Sequence, residues 1–273
     1  MPEQRLPVRK TYKLFVGGAF PRSESGRTYQ VRGVNVALAS RKDLRDAVTA
    51  AHGAQPAWAA ATAYLRGQVL YRAAEMLEAR QAEFQALGVA PAEHAAAVDR
   101  CVWYAGWADK IAQVRGSANP VAGPFFNVSV PEPTGVVGVL APVGSALLGL
   151  VSVLAPVVVT GNAAVVLAAE AHAAVAVTVA EALATADLPG GVVNILTGRA
   201  AELAPWLAAH RDVQGLDLTG ATDAALARAW EEAAAETLTR VRRPGQEDFA
   251  ADPGLGRLTA WLETKTVWHP KGC

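Results

Sequence analysis

Cysteine is scarce in this chain of 273 residues, which contains only Cys101 and Cys273. The two belong to no CxxC pair, so a disulfide framework is excluded. The five histidines show no ligand spacing, so no metal site is predicted. The N-terminal segment MPEQRLPVRKTYK lacks the apolar core of a signal peptide. Together these absences predict a cytoplasmic protein.

An excess of charge of either sign is also missing, because 25 Lys and Arg balance 25 Asp and Glu. Bulk charge therefore favours neither a nucleic acid nor an anionic membrane as a partner, and we expect neither. A protein without net charge is poorly protected against self-association, which suits an oligomer or a partner subunit. With 52% hydrophobic and 18% charged residues, the chain is predicted to be globular.

Charged residues are absent from position 133 to position 169, and this apolar run resembles a membrane span. A transmembrane helix needs about 20 apolar residues in one helix. Here Pro142, Gly144, Pro156 and Gly161 divide the run into short pieces. A buried strand, helix and strand explain the run better.

Strands and helices alternate with short links from residue 135 onwards. The apolar segments GVVGVL, AAVVLA, VVNIL and GLDLTG are predicted strands, and a helical segment follows each of them. Because the strands lack in-and-out alternation, both faces of the sheet are expected to be covered. The pattern predicts an α/β fold, a Rossmann-like doubly wound parallel sheet.

N-terminal helices and a small β arm are expected to accompany that sheet. Ser40 with Asp43 is a helix start of the capping-box type, Gly88 suits a helix end, and Pro91 suits a first helical turn. The other elements expected before the sheet are a hairpin at 13–20, a strand at 28–32 that extends it, a helix at 57–87 and a strand at 125–133.

The chain therefore divides into four segments. Residues 1–130 form the hairpin arm and helices, 131–241 the Rossmann-like domain, 242–257 a linker, and 258–273 a C-terminal oligomerisation strand. The stretch LETKTVWH in the last segment alternates like a strand. Its expected partner is the N-terminal hairpin sheet or the sheet of a neighbouring subunit.

Several motifs give the chain a resemblance to the aldehyde dehydrogenase superfamily. In order, they are EPTGVVGVLAP, TGNAAVVLAAE, LPGGVVNILTG, HRDVQGLDLTGAT and LETKTVW. The chain most resembles the truncated second aldehyde-dehydrogenase-like unit of two-part members and its stand-alone bacterial relatives. The stretches KTYKLFVGGAFPRSESGR, VWYAGW and ANPVAGPFFN suggest that subgroup. The resemblance implies a cofactor domain and an oligomerisation arm without the catalytic domain.

The chemistry of the family needs a cysteine thiolate, an oxyanion donor and a glutamate base. By the resemblance, Gly144 stands where the family has the Asn that donates to the oxyanion, and Pro244 stands at the position of the Glu base. Cys101 comes too early to be the nucleophile, and Cys273 is the last residue of the sequence. No catalytic residue is therefore assigned.

Vestigial cofactor contacts are assigned to Pro142, Glu170, Thr219 and Gly220. The family motif that holds the adenosine ribose keeps its Glu as Glu170, whereas its Lys is replaced by Leu167. The turn that contacts the pyrophosphate keeps Gly220 but loses its Ser. NAD or NADP binding is therefore possible but weakened, and no cofactor is certain. A structural reading stays open, in which Gly220 serves a tight turn and Glu170 is a solvated helix-start acid.

Three hypotheses follow from this pattern. The leading one is a non-catalytic structural or regulatory subunit that assembles with itself or with a catalytic aldehyde dehydrogenase. The alternatives are an NAD(P)-dependent oxidoreductase acting on aldehydes, alone or completed by a partner, and a nucleotide-binding sensor.

Overall fold

The computed structural model describes residues 9–272, so residues 1–8 and Cys273 lie outside the described residues. Within that range the chain forms three β-sheets and ten α-helices. No helix among these residues is both long and apolar enough to cross a bilayer.

The first sheet is small, with strands β1 Thr11–Tyr12, β2 Thr28–Val31 and β3 Val34–Ala37. Strand β3 lies in the middle, parallel to β1 and antiparallel to β2. Arg32 and Gly33 join β2 to β3 with φ angles of 48° and 80°, as a tight two-residue hairpin requires.

The predicted hairpin at 13–20 is confirmed only at its turn. Val16 and Ala19 form a bridge around Gly17 and Gly18, but Phe15 bridges to Ile195 in the central region. The expectation that 28–32 extends this hairpin is wrong, because β2 pairs with the unpredicted strand β3.

Five helices follow: α1 Arg41–Ala60, α2 Ala63–Glu78, α3 Gln81–Ala86, α4 Pro91–Trp107 and α5 Ile111–Arg115. The capping box of Ser40 and Asp43 is confirmed. The single helix expected at 57–87 is wrong, because Ala61 and Thr62 are extended. The Thr62 hydroxyl then accepts a hydrogen bond from the Leu65 amide and starts a new helix.

The remaining strands and helices form the centre of the molecule. Their bounds are β4 Ser117–Asn119, β5 Phe125–Pro133, β6 Val136–Leu140, α6 Leu148–Val159, β7 Ala163–Leu167, α7 Ala173–Ala184, β8 Val193–Leu196, α8 Ala200–Ala208, β9 Gly215–Asp217, α9 Ala224–Ala235 and β10 Arg240–Arg242. The central sheet is entirely parallel, in the order β10-β9-β6-β7-β8. The predicted doubly wound sheet is confirmed.

Two apolar cores lie on opposite faces of this sheet. Val137 and Val139 of β6 belong to the core that contains α2, α4, α6 and α7. Val136 and Leu140 belong to the core that contains α1, α8 and α9. Alternate residues of one strand thus serve different cores, which explains why the strand sequence is uniformly apolar.

The tail continues with α10 Gly256–Ala260 and β11 Leu262–Pro270. Strand β11 runs antiparallel to β5 over its whole length, from Leu262 beside Pro133 to Pro270 beside Phe125. The hairpin sheet, one of the two partners expected from the sequence, is therefore wrong, because β5 supplies this pairing. The other expected partner, the sheet of a neighbouring subunit, stays a prediction for the opposite edge of β11. The third sheet has the order β11-β5-β4.

Candidate functional site

The candidate site lies at the carboxyl edge of the central sheet, where β6, β7 and β9 end. The chain leaves β6 towards β7 and β8 on one side and returns to β9 and β10 on the other. Neighbouring connections diverge at such a switch point, and ligands of open α/β sheets bind there. The turns after β6 and β9 therefore form the candidate crevice.

The turn after β6 carries Pro142 and Gly144. Pro142 is buried. Its ring packs against Gly149, so that a Cβ atom added to Gly149 would lie 3.2 Å from the Pro142 ring. Gly144 is exposed, with no heavy atom within 4 Å of the position that a Cβ would take. The turn therefore offers no side-chain donor at residue 144, the position that the resemblance marked for the oxyanion Asn.

The N-terminus of α6, just beyond this turn, is occupied by a carboxylate from α4. One oxygen of Glu93 accepts hydrogen bonds from the amides of Leu147 and Leu148 at 2.9 and 3.3 Å and from the Ser145 hydroxyl at 2.9 Å. A helix N-terminus is a general anion site because its amides lack intrahelical partners. Here Glu93 takes the place that a ligand phosphate would need.

The turn after β9 is held by Asp217, whose side chain is completely buried. Its carboxylate accepts hydrogen bonds from the Thr219 hydroxyl and from the Thr219 amide, the latter at 2.9 Å. Arg257 of α10 donates to Asp217 at 2.9 Å and to the Thr219 hydroxyl at 3.1 Å. The predicted cofactor residue Thr219 is thus engaged with its own chain.

Gly220 brings the two turns into direct backbone contact. Its amide donates to the Leu140 carbonyl oxygen at 3.0 Å. A Cβ atom at this position would overlap the carbonyl oxygen of Ala141 and lie 2.6 Å from that of Leu140. This close approach alone accounts for a glycine at position 220. The contact between the two turns also closes the bottom of the crevice.

The N-terminus of α9, which starts after this turn, is also capped by a carboxylate, in this case that of its own N-cap residue. The Asp223 carboxylate accepts from the amides of Ala225 and Leu226 at 2.8 and 3.1 Å. Both helices that start at the switch point thus carry a negative charge of this chain at their positive ends. A pyrophosphate would have to displace or be repelled by these carboxylates.

Glu170, the fourth predicted cofactor residue, lies beside this crevice at the end of β7. It is exposed in a 3₁₀ turn that spans Glu170–His172. Burial, with a smaller contribution from the Glu170 charge, raises the pKa of Tyr29 to about 12. Leu167, at the position of the family lysine, is buried in the core.

A buried ionic network lies behind the crevice, and the sequence reading missed it. Glu247 accepts from Arg242 at 2.8 Å and from Arg257 at 2.9 Å. Partial burial works to raise the pKa of Glu247, but the two guanidinium groups outweigh it and lower that pKa. The available signal was a lone Asp in the apolar strand GLDLTG, because a buried carboxylate needs a cationic partner.

The predicted linker is tied down by this network and by Arg100. Residues 243–255 have no regular secondary structure. Yet the Arg100 guanidinium donates to the carbonyl oxygens of Phe249 and Ala251 and to the Ser152 hydroxyl of α6. The segment therefore packs on the body of the molecule beside the crevice.

Neither a reactive thiol nor a metal cluster accompanies the crevice within residues 9–272. Cys101 lies in the core, where its thiol donates to the Leu70 carbonyl oxygen at 3.3 Å. Burial raises the pKa of Cys101 to about 12, so the thiolate is scarce at neutral pH. The structure thus brings together Pro142, Thr219 and Gly220, with Glu170 beside them, but no nucleophilic thiol.

The architecture defines a class before any comparison is made. A parallel sheet with helices on both faces and a crevice at its switch point is a Rossmann-like fold. Residues 28–242 match the aldehyde dehydrogenase family. The chain belongs to the aldehyde dehydrogenase family.

Individual relatives agree with this membership. Aldehyde dehydrogenase, cytosolic 1, of Elephantulus edwardii is 31% identical over 99% of this chain and 56% of its own length. Human cytosolic 10-formyltetrahydrofolate dehydrogenase is 31% identical over 82% of this chain and 27% of its own length. The chain thus spans about half of the former and about a quarter of the latter.

Solved structures give the same result for the fold. The crystal structure of HpcC from Thermus thermophilus has a TM-score of 0.79 and 29% identity over 85% of this chain and 47% of that chain. The NAD+ complex of an aldehyde dehydrogenase from Bacillus cereus has a TM-score of 0.78 at 24% identity, over 85% of this chain and 50% of that chain. The chain therefore spans about half the length of each of these solved chains.

Proposed function

We propose that this protein is a non-catalytic member of the aldehyde dehydrogenase family, a pseudoenzyme that acts as a structural or regulatory subunit. It would assemble with itself or with a catalytic aldehyde dehydrogenase, in the cytoplasm. The observation that carries the proposal is β11, a strand of nine residues whose outer edge has no partner among the described residues. Long open edges of this kind are covered in stable proteins, and a neighbouring chain is a common cover.

The hydrogen bonds at the two ends of β11 determine which of its backbone groups bond to β5 and which face the open edge. The Lys271 amide donates to the Pro124 carbonyl, and the Thr134 amide donates to the Trp261 carbonyl. In an antiparallel pair, bonding to the partner strand alternates along the chain. Residues 263, 265, 267 and 269 therefore bond inwards to β5. The amides of Thr264, Thr266 and Trp268 point to the open edge.

Apolar side chains flank this open edge. Phe126 of β5 is 58% exposed, and Val267 and Trp268 of β11 are 46% and 59% exposed. Such side chains, together with unpaired amides, suit a second sheet that continues the hydrogen-bonded ladder. The zero net charge of the chain adds no long-range repulsion between copies.

The crevice supports the non-catalytic part of the proposal. Glu93 and Asp223 cap the helices at which a dinucleotide phosphate would bind. The buried thiol of Cys101 has no access to a substrate. We infer that these caps weaken the binding of NAD or NADP.

The test combines mass photometry with co-purification of the protein and the full-length aldehyde dehydrogenases of its host. The wild type should form oligomers or retain such an enzyme. The variant Thr264→Pro removes one outward amide and leaves the inward ladder intact, so it should shift the population to monomers. Thr264→Val keeps the amide and is the matched control. A wild type that is a strict monomer and retains no aldehyde dehydrogenase would overturn the proposal.

The two alternative functions are tested on the same purified protein. An NAD(P)-dependent oxidoreductase would reduce the cofactor when an aldehyde is supplied, alone or with the partner. A nucleotide sensor would release or absorb heat in calorimetry with NAD, NADP or adenine nucleotides. The exposed carboxylate of Glu170 is the feature that favours residual nucleotide binding, since no hydrogen bond engages this carboxylate among the described residues.

A further inference from the structure

A cavity, which we name the hairpin pocket, lies between the β2–β3 hairpin, the loop after α3 and the start of α7. Its volume is about 220 Å³. Its walls are mostly apolar, with Val31, Val34, Leu87, Ala174 and Val175 among the lining side chains. The cavity is therefore suited to the apolar body of a small ligand.

Arg32 is the main cation of this pocket. It occupies a turn position with φ 48°, which Asn or Gly adopts more readily than Arg. Its guanidinium lies over Gly88, where one terminal nitrogen would be 3.0 Å from a Cβ atom at that glycine. Gly88, with φ 88°, thus leaves the room that the guanidinium uses. An Arg at a turn position that favours Asn or Gly is consistent with a role for its side chain.

The pairing of Arg32 is consistent with a ligand role. Within residues 9–272 no carboxylate forms an ion pair with it. His172 also lines the pocket, and its Nε2 donates to the Val143 carbonyl at 2.9 Å. The pocket thus combines one unpaired cation and one imidazole with apolar walls.

We propose that the hairpin pocket binds a small apolar carboxylate, with the carboxylate on Arg32 and the hydrocarbon against the apolar walls. The volume corresponds to roughly seven water molecules, which fits a ligand of the size of hexanoate or benzoate. A single guanidinium matches one carboxylate in a bidentate pair. A phosphate or dinucleotide would need more donors, and Glu170 beside the pocket residue Ala171 disfavours a multiply charged anion.

This inference does not depend on the proposed assembly function. It concerns a different surface from the β11 edge, and a monomer would contain the pocket in full.

The test is isothermal titration calorimetry of the purified full chain with sodium hexanoate and, in parallel, with hexanamide. Hexanoate should bind with saturable heat, and the uncharged amide should bind at least about tenfold more weakly. A saturable signal from the acid alone would support the proposal. Equal binding of both compounds, or no saturable heat with millimolar hexanoate, would overturn it.

Variants assign the binding to this pocket. Arg32→Asn removes the charge and suits the positive φ, so it should fold at least as stably as the wild type while hexanoate affinity falls about tenfold. Arg27→Gln, at an exposed position before the same hairpin, is the matched control and should change affinity less than about twofold. Ala174→Phe should abolish binding by filling the cavity. If Arg32→Asn folds and hexanoate affinity is unchanged, the proposal is wrong.

Discussion

Arg257 donates a hydrogen bond of 2.9 Å to Asp217, and the exposed fractions of the two side chains are only 6% and 0%. This pair joins α10 to the end of β9 behind the candidate crevice. A carboxylate that is shielded from water costs free energy unless a cation pairs with it. The buried Asp217 therefore accounts for the Arg257 beside it, and the buried Arg257 accounts for Asp217.

Breaking this pair should strongly destabilise the fold. Asp217→Ala leaves Arg257 buried with one partner fewer, and we expect the free energy of unfolding to fall by about 3–5 kcal/mol. Urea denaturation measures the change. Arg228→Gln, which removes an exposed pair with Glu232, is the control and should change stability by about 0.5 kcal/mol or less. Similar small effects of both variants would contradict the role assigned to Asp217.

The contact between the two turns predicts a severe effect at Gly220. Because a methyl group there would overlap the Ala141 carbonyl oxygen, Gly220→Ala should cost about 2–3 kcal/mol or more in unfolding free energy. Gly144→Ala, where the added methyl meets open space, should change stability by about 0.5 kcal/mol or less. Thermal unfolding of the two variants side by side gives the comparison. Equal midpoints would show that the turns do not pack as described.

Glu93 is expected to stabilise α6 from outside that helix. Glu93→Ala leaves the amides of Leu147 and Leu148 without their carboxylate acceptor, so unfolding free energy should fall by about 1–2 kcal/mol. Calorimetric or circular-dichroism melting curves would detect this loss. Glu83→Ala, on the short helix α3 and without a side-chain hydrogen bond in the described part of the chain, is the control. A loss no larger than that of the control would refute the capping role.

The raised pKa of Cys101 predicts a loss of stability at alkaline pH. The folded thiol has a pKa of about 12, compared with 9.0 for the unperturbed group. Its stabilising contribution is complete below pH 9, and it is lost as the pH rises towards 12, because only the unfolded chain ionises there. Urea midpoints measured from about pH 8 to about pH 10.5 should fall less steeply for Cys101→Ala than for the wild type. Parallel slopes would contradict the burial of the thiol.

The sequence predicted the central fold well because its signals are local. Each apolar strand of the parallel sheet is bounded by Gly or Pro, and the capping box of Ser40 and Asp43 marks a helix start without tertiary context. The break at Ala61 and Thr62 was missed because apolar periodicity continues through it. The threonine cap was the signal that could have found it.

The partner of β11 could not be predicted, because pairing depends on contacts between residues more than 120 positions apart. Its alternating pattern indicates a strand and leaves the partner open. At the candidate site, the sequence located the turn residues Pro142, Thr219 and Gly220 but not what engages them. Glu93 and Arg257 reach the crevice from distant segments, and neither belongs to a motif.

The position of Arg257 also sets an order for folding during synthesis. The five parallel strands are complete once residue 242 has been made, yet Asp217 remains a buried charge without its cation until residue 257 follows. Strand β5 likewise waits for residues 262–270 to cover its long edge. A nascent chain therefore passes through a stage with an assembled sheet, an unsatisfied carboxylate and an open β edge. During that interval it is most exposed to aggregation and to capture by chaperones.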